Sequence, residues 1–170
     1  RNWRGMVESG GRRIKRSLLI DQLSIGFCSL DTLHRLERID LISEWVAGKI
    51  ARLETYAAEH SSHYDLPLDG PQVPNIEVFR AYTTAYLQAR PDIHTDGLPF
   101  LVRVLDPTPQ GLPVELYIFT KTTDWVAYEA IQAEIFEHLL AAANVFDLRV
   151  FQQPSGLDLQ GLQGSLRGTA

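Results

Sequence analysis

The stretch 111–156, GLPVELYIFTKTTDWVAYEAIQAEIFEHLLAAANVFDLRVFQQPSG, restricts the fold more than any other part of the chain. Its apolar period changes from two residues to about 3.6 and back again, which reads as strand, helix, strand. Val114, Leu116 and Ile118 alternate with Glu115, Tyr117 and Phe119, so both faces of the first strand carry apolar bulk. One face packs and the other is at least partly covered. Asp124, or Thr123 before it, can cap a helix in which Trp125, Tyr128, Ile131, Ile135, Leu139 and Ala142 recur at three and four residues. Asp147 and the apolar-rich 148–151 return the chain as a second strand, closed by Pro154 and Gly156. No arrangement of side chains in this stretch does chemistry; it reads as a scaffold.

A chain of 170 residues with 45% apolar content suits one domain with additions and can fill a core. Its longest uncharged apolar stretch, 139–146, includes Asn144 and falls far short of the roughly 20 residues a spanning helix needs. The first residue is Arg1 and no signal-peptide pattern follows, so the reading is of a piece cut from a larger parent. Cys28, the lone cysteine, cannot form an internal disulfide and suits a reducing compartment. With no basic partner adjacent in sequence, it reads as a core or half-buried thiol rather than a nucleophile. The net charge of −5 is unevenly spread: residues 1–16 hold six Lys/Arg against one Glu, a local +5, which leaves −10 for the remainder. A basic patch on an acidic body points to nucleic acid, anionic lipid or a junction with another domain.

Residues 1–11 show no sustained period, and Ser9-Gly10-Gly11 reads as a turn between strands or domains. Alternation of Ile14, Leu18 and Ile20 predicts a strand over 12–21, which 24–28 either extends after a bend or ends. A helix begins near Ser29 or Asp31, with Leu33, Leu36 and Ile39 in step, and a second stripe follows at Leu41, Trp45, Val46, Ile50, Leu53 and Ala57. The phase break near Asp40 favours a kink or joint between the two. Pro67, Gly70, Pro71 and Pro74 make 60–75 a long loop, and Asn75 is the expected cap of a helix carrying Phe79, Tyr82, Tyr86 and Leu87 as far as Pro91. A strand over 98–105 and a proline-stiffened hairpin loop, 106–111, lead back to the opening stretch; 154–170 is a polar, Gly-rich tail.

The predicted order is strand, helical region, strand, strand, helix, strand. That is an α+β fold, the split βαββαβ plan of a ferredoxin-like sandwich, with extra helices inserted in the first crossover at about 41–74. The organisation read from it is 1–11 as the end of a β domain and linker, 12–153 as an α/β domain, and 154–170 as the tail. Such folds host sensors, RNA binders, enzymes and assembly modules, so function must come from a site.

Candidate sites are few. His60 and His63 with Asp65 offer imidazole and carboxylate ligands, but they fall where a helix frays, and a solvated helix end is the favoured reading, so no metal site is expected. Glu134 and His138 have acid–base spacing, which is equally that of an ordinary surface pair, the reading favoured here. No phosphate loop or nucleophile elbow occurs, and neither an enzyme nor a cofactor is expected. The run RRIKR is the strongest candidate: Arg13 and Lys15 project from one face of a strand, Arg12 and Arg16 from the other, and cations on both faces are hard to bury. RNA binding would add stacking on Tyr117 and Phe119, but the acidic remainder repels phosphate, so no nucleic-acid partner is expected.

Five ordered blocks carry a resemblance: GGRRIKRSLLID (10–21), NIEVFRAYTTAYLQARPDIH (75–94), LVRVLDPTPQGLPVELYIFT (101–120), DWVAYEAIQAEIFEHLL (124–140) and FDLRVFQQPSG (146–156). Together they resemble the cytoplasmic C-terminal region of MscS-like small-conductance mechanosensitive channels, in the miniconductance or YbdG-type branch. One departure lies at 74–80, where Pro-Asn-Ile-Glu-Val-Phe-Arg stands in place of the branch's Thr-Asn-Ile-Gly-Thr-Phe-Arg. The resemblance implies a homoheptameric ion channel of the bacterial inner membrane, opening under tension to release ions and solutes in osmotic downshock. It implies transmembrane helices ahead of this chain, a β domain whose last strand the NWRGM segment (2–6) resembles, and a cytoplasmic cage with side portals. No pore-lining or gating residue is matched. Arg12, Arg13, Lys15 and Arg16 are then expected near a portal or subunit contact, where positive potential favours anions. The alternative is a soluble ferredoxin-like module that binds a small ligand or RNA.

Overall fold

The structure, a computed structural model, describes residues 10–60, 67–153 and 155–168. Three strands, β1 (Arg12–Ile20), β2 (Leu101–Val104) and β3 (Leu112–Thr120), form an antiparallel sheet in the order β1-β3-β2. Five α-helices accompany it: α1 (Leu30–Leu36), α2 (Ser43–Glu59), α3 (Asn75–Gln88), α4 (Trp125–Ala142) and α5 (Gly156–Arg167). The fold is α+β. The expected last strand of a β domain at 2–6 lies outside the described residues.

Register decides which side chains meet. Opposite Ile118, Leu116 and Val114 of β3 stand Ile14, Arg16 and Leu18 of β1, and Val102 and Val104 of β2 join the same side. Ile14, Val114, Leu116 and Ile118 are fully buried there and merge with Leu33, Leu36, Val46, Val78, Phe79, Ile135 and Leu139 from four helices into one core. Truncating such a residue to Ala costs about 2–5 kcal/mol. The opposite side of the sheet carries Arg13, Lys15, Ser17 and Leu19 against Phe119, Tyr117, Glu115 and Pro113, with Leu101 and Arg103 from β2. Its Arg13, Lys15, Leu101 and Arg103 are exposed.

Local signals place two of the five α-helix starts. Ser29 caps α1 by accepting from the Thr32 amide at 3.2 Å, and Asp124 caps α4 by accepting from Ala127 at 2.9 Å. The phase break near Asp40 is a joint: a 3-10 turn, Asp40–Ile42, separates α1 from α2. After β1 a second 3-10 turn, Gln22–Ser24, ends the strand instead of extending it.

Three expectations are corrected. Asn75 does not cap α3; it is the first helical residue, after Pro74, and its buried side chain points into the fold. The strand expected over 98–105 is confined to Leu101–Val104. Residues 148–151 form no fourth strand but a single bridge, Ile20↔Val150, with Asp21 donating to Arg149 and Phe151 to Leu19, each at 2.8 Å. Asp147 exits the preceding turn in the left-handed region, φ 59°. The polar, Gly-rich tail contains a helix, Gly156–Arg167, that the sequence pattern did not predict.

The long loop after α2 is anchored where it meets α3: Phe27 bridges Pro74, and the Cys28 amide donates to the Val73 carbonyl at 2.8 Å. Gly70 lies against the Tyr56 ring so closely that a Cβ there would overlap it. Gly111, just before β3, has φ +112°, and a Cβ there would overlap the Ile20 carbonyl, a geometry that favours glycine.

Candidate functional site

The four cations of β1 enter two environments. On the helix side, the Arg12 guanidinium lies 4.6 Å from the Tyr128 ring centroid and that of Arg16 lies 4.4 Å from Phe136, both on α4. Cation–π contact and the aliphatic stems allow these charges to sit at the margin of the core without burial. On the open side, Arg13 lies 5.6 Å from the Tyr117 ring centroid, with Nη1 donating weakly to the Tyr117 hydroxyl at 3.4 Å. Lys15 is exposed opposite Tyr117. Among the described residues, none of the four cations makes an ion pair with a carboxylate.

Tyr128 joins the strand edge to α4. Its hydroxyl donates to the Arg13 carbonyl oxygen at 2.7 Å, filling an edge acceptor that β3 leaves free. Burial raises the Tyr128 pKa, while nearby Arg12 opposes the shift. The charged strand edge therefore has a structural role as well: four cations and an occupied carbonyl discourage uncontrolled edge pairing.

The open sheet face combines these cations with aromatic surface. Tyr117 and Phe119 lie edge to face, centroids 6.0 Å apart, both half-buried. Below them Glu115 is only 5% exposed, and one of its oxygens accepts from Arg103 Nε at 2.9 Å and Nη2 at 2.7 Å. The face is cationic overall because its single carboxylate is neutralised by Arg103.

A second cluster lies between α3 and α4, and it corrects the expected Glu134–His138 surface pair. Glu134 accepts from Arg90 at 3.0 Å, whereas His138 Nε2 lies 2.6 Å from the Tyr82 hydroxyl and its ring stacks on Tyr86 at 4.2 Å. Arg90 also binds both oxygens of Asp92, at 3.0 and 2.8 Å, and the Tyr86 hydroxyl at 3.2 Å. The bond to Asp92, chiefly, raises the Arg90 pKa further, so its charge is permanent. Burial also raises the Tyr82 pKa. Beside this cluster a cavity of about 370 Å3 is lined by Ile39, Tyr82, His138, Ala142, Val145 and Phe146. The sequence marked Tyr82 only as part of an apolar helix face and did not single out Arg90; the i,i+4 repeat of Tyr82 and Tyr86 was the available signal.

The remaining candidates separate. His60 stacks on Tyr56, ring centroids 4.0 Å apart, with Nδ1 3.1 Å from the Tyr56 carbonyl oxygen; His63 and Asp65 lie outside the described residues. Among the described residues no group of three or more His, Cys, Asp or Glu side chains could hold a metal ion. Cys28 is buried, and burial first, with Asp147 adding, pushes its thiol up to about 11. No described helix is long and apolar enough to cross a membrane. No protein-family model matches the chain.

Proposed function

We propose that this chain is the cytoplasmic domain of an MscS-like mechanosensitive channel, a non-enzymatic wall of the cage through which ions and solutes leave in osmotic downshock. The observation that carries the reading beyond sequence resemblance is the pair Arg13 and Lys15, exposed and without carboxylate partners on a sheet face left open. Such a face, turned toward an aqueous path, raises the local anion concentration. The arrangement of 148–151 beside β1, beside β3, beside β2 is consistent with the ferredoxin-like plan on which the domain reading rests. In the parent protein, the domain lies on the cytoplasmic side of the bacterial inner membrane and assembles as a homoheptamer.

The test has two arms. The coding sequence upstream of Arg1 should hold several apolar stretches of roughly 20 residues. The parent protein, expressed in cells lacking their own tension-gated channels, should restore survival of downshock. Absence of either overturns the reading.

A second reading, a ligand or RNA module, is favoured by one observation: Tyr117 and Phe119 side by side with Arg13 and Lys15 on the open face. Salt-sensitive binding of single-stranded RNA, lost in Tyr117→Ala, is its signature.

A further inference from the structure

We propose that the recess between α2 and α3 is a binding site for a small aromatic monocarboxylate, with Arg80 holding the carboxylate and Trp45 beside the ring. The site goes beyond the proposed function and stands whether or not the parent protein is a channel.

The recess follows from what the two helices turn toward each other. Along α3, Glu77, Arg80, Ala81, Thr84, Ala85 and Gln88 recur at the three- and four-residue spacing of one helical face. That face is not the buried one, which carries Val78, Phe79, Tyr82 and Leu87 into the core. Across from it stand Leu41 and Ile42 of the joint and Trp45 and Lys49 of α2, with Trp45 half-buried. Packed helices ordinarily fill such a gap with interdigitating side chains. Ala81 and Ala85 are too short to do so. A cavity of about 360 Å3 remains, within the range of roughly 300–1,000 Å3 usual for ligand sites.

Charge selects the ligand. Among the described residues, Glu77 is the one carboxylate lining the recess, and it accepts from Lys49 Nζ at 3.2 Å. That ammonium also lies 5.0 Å from the Trp45 ring centroid, so it is held in place by both partners. The two opposite charges cancel. Arg80, exposed at the same recess, makes no ion pair among the described residues, which leaves the site one uncompensated positive charge. A guanidinium presents a planar fork of donors that matches a carboxylate. Glu77 disfavours a second negative charge on the ligand, which separates a monocarboxylate from a phosphate ester. Leu41, Trp45, Ala81 and Ala85 supply an apolar wall for a flat ring. The Thr84 hydroxyl, which donates to the Arg80 carbonyl at 3.0 Å, and the exposed Gln88 amide form the polar rim.

Titration of the isotope-labelled chain with phenylacetate, followed by amide chemical shifts, tests the site. The amides of Ala81, Thr84, Ala85 and Gln88 and the Trp45 indole N–H should shift together, with half-saturation at about 1 mM or below for a ligand this small. Phenylacetamide, which keeps the shape without the charge, should bind about tenfold more weakly, and phenyl phosphate should also bind more weakly than phenylacetate. Arg80→Gln should weaken phenylacetate binding about tenfold. Ala81→Leu, which fills the recess with a good helix former, should abolish the shifts. Because Arg80 is exposed, its variant keeps the fold and decides the matter even where Ala81→Leu does not fold. The proposal is overturned by an absence of shifts at these residues, by shifts confined to the face of Arg13 and Lys15, or by undiminished binding in Arg80→Gln or with phenylacetamide. Phenyl phosphate bound as tightly as phenylacetate would overturn it too, by making the site one for phosphate esters.

Discussion

The Asn75 carboxamide donates from Nδ2 to the Phe146 carbonyl oxygen at 2.9 Å, joining the first turn of α3 to the turn that ends α4 across 71 residues of sequence. The same side chain donates to the Ser24 carbonyl at 3.0 Å and accepts from the Gly26 amide at 3.0 Å. One buried amide thus satisfies three backbone groups that no helix or strand reaches.

Asn75→Ala should therefore destabilise the fold by about 3 kcal/mol, since each buried group left unsatisfied costs about 1–3 kcal/mol and water relieves part of it. Asn75→Asp should cost at least as much at neutral pH, because a carboxylate would face two carbonyl oxygens. Urea unfolding followed by far-UV circular dichroism measures both. An unshifted midpoint for Asn75→Ala would show the contacts to be energetically idle.

Arg103 is half-exposed while Glu115 is buried, so the two partners of this ion pair are not equivalent. Arg103→Met leaves a buried carboxylate without its donors and should cost about 2 kcal/mol, the magnitude of hydrogen bonds to a charged group. Glu115→Gln keeps an acceptor for Arg103 and should cost less. Equal losses in thermal melts would contradict the asymmetry.

Cys28 makes stability depend on alkaline pH. Its thiol titrates near 11 in the fold against an ordinary 9.0, so between these values the folded chain binds more protons than the unfolded chain. Stability is fully present below about pH 9 and falls as pH rises towards 11, by up to about 1.4 kcal/mol per pH unit. Cys28→Ala should flatten that part of the pH profile. In the folded wild type, alkylation by iodoacetamide at neutral pH should be slow, and it should accelerate when urea unfolds the chain.

The two pairs of cations on β1 should respond differently to substitution. Arg12→Ala and Arg16→Ala each remove a cation–π contact and should lower stability by about 0.5–1 kcal/mol. Arg13→Glu with Lys15→Glu lies on the open face, removes only the longer Arg13–Tyr117 contact at 5.6 Å, and should change thermal stability by no more than about 0.5 kcal/mol. Under the proposed channel function, however, that double reversal in the parent protein should move ion preference towards cations. Reversal of all four charges with no change in ion preference, gating or assembly would reduce them to a solvated edge.

Much of the fold was legible because its signals are local. Alternation of Ile14, Leu18 and Ile20 marked β1, Ser29 and Asp124 marked helix starts, and the broken stripe at Asp40 marked the joint. The period also separated Arg13 and Lys15 from Arg12 and Arg16. Where a local rule met a distant partner, it failed. Asn75 has the chemistry of a cap but serves Phe146, and the i,i+4 pair Glu134 and His138 turns instead to Arg90 and Tyr82 on another stretch of chain.

The sequence by itself determined the order of the elements from β1 to α4, the core-facing stripe of each and the concentration of positive charge on the first strand, since backbone sterics and side-chain period act over a few residues. Only the tertiary structure decided that 148–151 is held by a single bridge, that Arg12 and Arg16 rest on α4 while Arg13 and Lys15 remain on an open sheet, and that α4 keeps an apolar face outside the core. Each of these depends on residues tens to more than a hundred positions apart meeting in space, and no short-range rule carries that information.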